Sequence, residues 1–230
     1  MFIRCPYCHR RVIRWFYPSH ERKHTQRLSD GQLKDHMTAP PRERFAGTLD
    51  HTPRAYRHSV CGVVTEMPEE IIRTYLVNPL TYGDQSFCCG CGEYVDSSQL
   101  TWEETGDIVM AYMGLLRRQY MRETLGMEFP ARPKGVILTP SAIQKLKDRI
   151  QEIGIATLCA EIIVPEAPSS EFQFGLKGAP NEQLDVLMNI GGVRVAVKRK
   201  QIDQIDGIVI EYFGPPKDGF SIGRLYPLND

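Results

Sequence analysis

Six of the seven cysteines lie within the first 91 residues, and four of them form two Cys-x-x-Cys turns, Cys5-Pro6-Tyr7-Cys8 and Cys88-Cys89-Gly90-Cys91. Each turn lets two sulfurs point at one ion while backbone amides stabilise the thiolates, and two turns supply the four ligands of a closed tetrahedral zinc site. In a reducing compartment clustered thiols bind metal more often than they pair, and an odd number cannot all pair within one chain. The expected ligand set is therefore Cys5, Cys8, Cys88 and Cys91, with structural zinc as the cofactor of a zinc-ribbon-like domain. Ribbons usually separate their turns by about 15–20 residues. Here about 80 residues intervene, so tertiary structure must bring the turns together. Cys61, in Val60-Cys61-Gly62, stands in reserve as a ligand with His9 and Cys89. The alternative is two unrelated turns of free thiols. Four protein ligands leave no coordination position for substrate, which makes such a site structural.

Charge is distributed unevenly although the formal net charge is zero. The first 60 residues hold twelve Arg or Lys against five acids, a local +7 that the rest of the chain cancels, and all six histidines fall there too. A basic end of this kind can face an acidic partner, including nucleic acid or the chain's own acidic half. Arg10, Arg11 and Arg14 adjoin Trp15, Phe16 and Tyr17, mixing charge with stacking groups. The basic residues are scattered rather than arranged as a stripe, and the aromatics are expected to pack around the metal site. Nucleic acid is thus an admissible partner but not the favoured one.

The segment from Gly126 to Gly135 combines two glycines and two prolines, and hydrophobic periodicity changes across it. Residues 1–125 are expected to form the zinc-binding domain, 126–135 a linker and 136–230 a second domain. In the first, the polar, weakly periodic, His-, Arg- and Pro-rich stretch from Tyr17 to His58 reads as an extended or partly mobile insertion. A short helix is expected from about Pro68 through Ile71, Ile72 and Tyr75. A long one is expected over Thr105 to Leu125 with Ile108, Tyr112, Leu115, Leu116 and Tyr120 on its apolar face. In the second domain, strand Val136-Ile137-Leu138 leads to Thr139-Pro140, a cap followed by proline at the first helical position. The helix presents Ile143, Leu146, Ile150 and Ile153 and stops at Gly154. Strands follow over 157–164, 172–176, 184–190, 193–197 and 208–213, with Gly191-Gly192 as a hairpin turn. The fold class is α+β: an N-terminal zinc-ribbon-like domain with helices and a β-rich C-terminal domain.

Four landmarks of that second domain occur in one order: Leu138-Thr139-Pro140-Ser141-Ala142, Phe172-Gln173-Phe174-Gly175-Leu176, Gly192-Val193-Arg194-Val195-Ala196-Val197 and Asp206-Gly207-Ile208-Val209-Ile210-Glu211-Tyr212. By these it resembles the A-type iron-sulfur carrier or HesB-like family; the resemblance stops at the linker. The family holds its metal or cluster through one cysteine before the second landmark and two in a Cys-Gly-Cys tail, because soft thiolate sulfur stabilises cluster iron. At the first of these positions this sequence has about Ser169, in Pro168-Ser169-Ser170-Glu171, and it runs to Leu228-Asn229-Asp230 without the tail. The resemblance therefore implies the fold without the carrier's ligands. Cys159 matches no ligand position and reads as a small buried hydrophobe, while Glu166 and Glu171 read as parts of a solvated loop.

His20-Glu21-Arg22-Lys23-His24 fits the metalloprotease pattern His-Glu-x-x-His, with His36 as a conceivable third ligand. Its flanks, Pro18, Ser19, Thr25, Gln26 and Arg27, give it no apolar face with which to pack into a core, so no catalytic residue is assigned and the chain is read as non-enzymatic. The start Met1-Phe2-Ile3-Arg4 lacks a signal-like apolar stretch, and no apolar run approaches the roughly 20 residues of a membrane span. A cytoplasmic location is expected, without membrane contact. The favoured function is a zinc-stabilised module joined to a cluster-free HesB-like domain that acts through protein partners, among them iron-sulfur assembly factors. The alternatives are a genuine iron or cluster carrier using N-terminal cysteines, and a zinc-ribbon nucleic-acid binder.

Overall fold

The structure, a computed structural model, describes residues 2–4, 11–29, 32–33, 38–164, 172–214 and 218–226. Helices and sheets are both present throughout, so the class is α+β as expected. Strands β1 (Phe2–Arg4) and β2 (Arg11–Ile13) pair antiparallel. Helix α1 (Tyr17–Thr25) then opens with Pro18 in its first turn. The reading of an extended insertion is thus corrected for this stretch, although no described side chain of α1 is buried. His20 and Glu21 do lie on a helix, where Glu21 accepts a hydrogen bond from the Tyr17 hydroxyl at 3.2 Å. The side chain of His24 and all of His36 lie outside the described residues.

Next come β3 (Ala55–His58), β4 (Val64–Glu66), α2 (Glu69–Val77), β5 (Gln85–Cys88), β6 (Glu93–Asp96), β7 (Leu100–Trp102) and α3 (Val109–Glu123). One antiparallel sheet has the order β4-β3-β7, and β5 and β6 form a separate hairpin. The core between these sheets and α2 and α3 is aromatic: Trp102 meets Tyr56 and Tyr112 edge-on at 5.7 and 5.9 Å, the geometry that ring quadrupoles favour. Ile72, Tyr75, Leu100 and Met113 complete it.

α3 lies within the expected span, but its buried face is rotated. Val109, Met110, Met113, Gly114, Arg117 and Met121 are buried, whereas Leu115 is 59% and Ile108 39% exposed. An arginine in the stripe made the true face look solvated; the partners described below allow Arg117 to be buried.

The remaining chain forms β8 (Val136–Leu138), α4 (Pro140–Ile153), β9 (Cys159–Ile163), β10 (Gln173–Lys177), β11 (Asp185–Ile190), β12 (Val193–Lys198), β13 (Ile208–Phe213) and β14 (Gly219–Arg224). The cap is as read: Thr139 accepts from the Ala142 amide at 3.3 Å, and Gly154 ends α4 in the left-handed region at φ 72°. Gly191 and Gly192, with φ of 58° and 85°, turn β11 into β12. One sheet has the order β10-β9-β12-β11 and another β14-β13-β8, each with one parallel pair. Leu146 and Ala142 of α4 pack on Ile162, Val195, Val197, Ile208 and Ile210, and each large side chain so buried contributes about 1.5–3 kcal/mol. Ile153, assigned to that face, is instead 46% exposed at the last turn. β14 was not read from the sequence.

Arg117 joins the two halves of the chain. Its fully buried guanidinium pairs with Asp84 at 2.9 Å and donates to the carbonyls of Tyr82 and Arg224. Gly114, one turn earlier, sits where any Cβ would strike the Leu225 carbonyl, so α3 approaches β14's end closely only because glycine is there. Leu80, Met121, Val209 and Leu225 form an apolar cluster alongside.

Candidate metal centre

Two chain reversals meet beside the aromatic core. The first connects β3 to β4 through His58-Ser59-Val60-Cys61-Gly62, and the second connects β5 to β6 through Cys88-Cys89-Gly90-Cys91-Gly92. In each, the closing glycine donates its amide to the carbonyl four residues earlier at 2.8 Å, Gly62 to His58 and Gly92 to Cys88. Both glycines are left-handed, with φ of 72° and 68°. Such a turn places side chains i and i+3 on one side, so each contributes two donors.

The four donors converge. Among the described residues, the one group of three or more His, Cys, Asp or Glu side chains able to share an ion is His58, Cys61, Cys88 and Cys91, with all ligand atoms within 4.8 Å of one another. Cys61 Sγ lies 3.4 Å from both His58 Nδ1 and Cys88 Sγ, and Cys91 Sγ lies 3.4 Å from His58 Nδ1. Bonds of about 2.3 Å to sulfur and about 2.0–2.1 Å to nitrogen imply tetrahedron edges of about 3.5–3.8 Å. Three of the donor pairs, at 3.4 Å, come close to those edges, and four donors within 4.8 Å of one another could hold a metal ion.

His58 is oriented from behind. Its Nε2 faces Gln99 Oε1 at 3.3 Å, an arrangement that favours the tautomer with its proton on Nε2, which turns the Nδ1 lone pair to the thiols. The Ser59 amide donates to the Gln99 carbonyl at 2.9 Å, which fixes the two segments together. Cys89 contributes its amide rather than its thiol, donating to Thr65 Oγ1 at 3.0 Å and tying β4 to the second turn. Gly90 packs against Val63 and Cys61 so closely that a methyl group there would need both to move.

Electrostatics distinguish the two exposed sulfurs. The Val63 backbone amide holds the Cys61 thiol down at about 7, with help from its Cys88, His58 and Cys91 neighbours. Cys91 is pushed up to about 12, first because its thiol is shared with Cys61 and then through burial and Cys88. In this cluster one thiolate forms readily and discourages the next, a conflict that a divalent cation relieves. Cys88 and His58 are buried while Cys61 and Cys91 are exposed, so the site opens to solvent on one side.

Of the four ligands expected from sequence, Cys88 and Cys91 are brought into this cluster. Cys5, Cys8 and the reserve ligand His9 lie outside the described residues, as do Ser169, Glu166, Glu171 and the stretch 227–230. Cys61, a reserve ligand in the sequence, joins this cluster, and so does His58, which the sequence reading does not include. The signal was present: His58-x-x-Cys61-Gly62 repeats Cys88-x-x-Cys91-Gly92 with one donor exchanged. Cys159 is fully buried in β9, where burial raises its thiol, as the apolar reading required. Trp15 and Phe16 are 88% and 64% exposed, which corrects the expectation that they pack around the metal site.

No protein-family model matches the chain, and no curated protein matches it. Three solved structures are similar in fold to part of it. SufA of Escherichia coli, described as involved in biosynthesis of iron-sulfur clusters, is 17% identical with a TM-score of 0.34, over 45% of this chain and 90% of SufA. A protein from Aquifex aeolicus is 23% identical with a TM-score of 0.31, over 42% of this chain and 97% of its own. IscA with a [2Fe-2S] cluster is 23% identical with a TM-score of 0.30, over 39% of this chain and 81% of its own.

Proposed function

We propose that this chain is a non-enzymatic zinc protein in which His58, Cys61, Cys88 and Cys91 hold one structural ion. The observation that carries the reading is the convergence of those four donor atoms within 4.8 Å at two matched turns. With four protein ligands the metal has no open position for substrate, and its work is to clamp the β3–β4 and β5–β6 hairpins together. In this reading the C-terminal half is a HesB-like unit that acts without a cluster. Between residues 136 and 230 the one cysteine is Cys159, sealed in the sheet, so these residues supply no set of thiolates with which to hold iron. Such a unit acts through protein contacts, and iron-sulfur assembly factors are the partner class its sequence landmarks suggest. Elemental analysis with a visible spectrum on protein purified without oxygen tests this. Zinc without iron or visible absorbance supports it; iron with sulfide and a visible band would replace it with the cluster-carrier reading.

A second reading draws on the exposed Trp15 and Phe16, which stand beside Arg11 and Arg14. Exposed rings among arginines offer stacking and charge to a single-stranded nucleic acid. Salt-dependent binding of a random oligonucleotide that is lost in Trp15→Ala supports it; no binding at low salt removes it.

A further inference from the structure

A cavity of about 350 Å³ opens beside α3, with Arg118, Arg122 and Arg132 in its lining and Leu115, Leu225 and Tyr226 as apolar walls. None of these residues belongs to the metal centre. Arg118 and Arg122 stand one turn apart on α3, on the same helix face, where like charges repel. Neither has a carboxylate partner among the described residues. Arg118 donates to the Leu225 carbonyl, and Arg122 lies over the Phe129 ring at 5.2 Å. The nearby Glu123 is engaged by Gln119, and Glu128 lines the adjoining hollow instead. Burial first, and then the charge of Arg122, lower the pKa of Arg118. Arg132 closes the third side with its guanidinium 5.9 Å from the centre of the Tyr226 ring.

We infer that this cavity binds a phosphate-bearing small molecule, its phosphate held by Arg118, Arg122 and Arg132 and its organic part against Leu115 and Tyr226. Guanidinium forks match phosphate oxygens in pairs, and three of them exceed what the two oxygens of a carboxylate can accept. The volume lies at the low end of small-ligand sites, enough for a phosphomonoester with one ring.

Isothermal titration with phenyl phosphate, at ionic strength held constant with chloride, tests the inference on the full chain. Saturable binding is expected. It should weaken by about tenfold in Arg122→Gln and in Arg132→Gln, the loss of roughly one charge-assisted hydrogen bond. Both arginines are exposed, so circular dichroism and metal content should stay as in the parent and show that the variants fold. Absence of binding overturns the inference, as does parental affinity in both variants. Binding of a single-stranded oligonucleotide without any binding of phenyl phosphate overturns it too.

Discussion

Gly62 and Gly92 are counterparts: each is left-handed, and each sends its amide back to the carbonyl of the first ligand in its turn, His58 in one case and Cys88 in the other. A side chain in that conformation costs about 1 kcal/mol or more. Gly62→Ala and Gly92→Ala should therefore each weaken metal binding by about five- to tenfold while leaving all four donors in place. Competition against a chromophoric chelator reads this directly, and Gly83→Ala, which meets open space at a glycine of negative φ, is the control that should not change.

Gln99 faces His58 Nε2 at 3.3 Å, where its Oε1 can accept the ring proton and hold the imidazole in place. Gln99→Leu removes the acceptor and leaves the ring free to turn. Outer partners of this kind are worth about 10–100-fold in affinity, and that loss is expected in the same competition assay. Cys88→Ser should lose the metal outright, since it removes the buried sulfur.

Arg117 tests how the two halves hold together. Arg117→Met removes one member of a buried charge pair and leaves Asp84 with only the Arg224 amide at 3.2 Å and the Arg224 guanidinium at 4.0 Å, so a destabilisation of about 3 kcal/mol is expected from chemical denaturation. Asp84→Asn combined with Arg117→Met should cost less than the sum of the two single changes, because the pair is then removed together.

Asp185 gives the fold a pH dependence. Hydrogen bonds from Lys177 at 2.7 Å and Lys198 at 2.9 Å, with one from the Asn181 amide, hold its carboxyl well below the usual carboxylate range although burial opposes them. A depressed folded pKa means that the stabilisation is complete above the unfolded value of about 3.9 and is lost as pH falls through the folded value. Urea midpoints should therefore fall below about pH 4, and Asp185→Asn should be less stable at pH 7 with a flatter acid limb. Equal acid sensitivity in the variant would assign the effect to other groups.

The second half of the chain was the more legible. Thr139-Pro140 and Gly154 bound α4 by local chemistry, and Gly191-Gly192 turns a hairpin, because caps and positive-φ turns depend on the residues at hand. β14 escapes a reading of the sequence because Gly219 and Gly223 have low strand propensity and leave only Phe220 and Ile222 to carry the alternation. The α3 face was misread because burial of Arg117 depends on carbonyls from distant segments, which no local pattern reveals. At the metal centre, Cys88 and Cys91 were legible as a pair. The second Cys-x-x-Cys, Cys5 to Cys8, lies outside the described residues, and the turn that the structure sets beside Cys88 and Cys91 carries a histidine at its first position, which a search for paired cysteines passes over.

The most direct measurement of the central claim is zinc-edge X-ray absorption on protein with about one zinc per chain. The site described here predicts three sulfurs at about 2.3 Å and one nitrogen at about 2.0–2.1 Å, with the nitrogen lost in His58→Cys and the spectrum unchanged in the Cys5→Ser, Cys8→Ser double variant. A shell of four sulfurs that collapses in that double variant would contradict it and return the ligand set to Cys5, Cys8, Cys88 and Cys91.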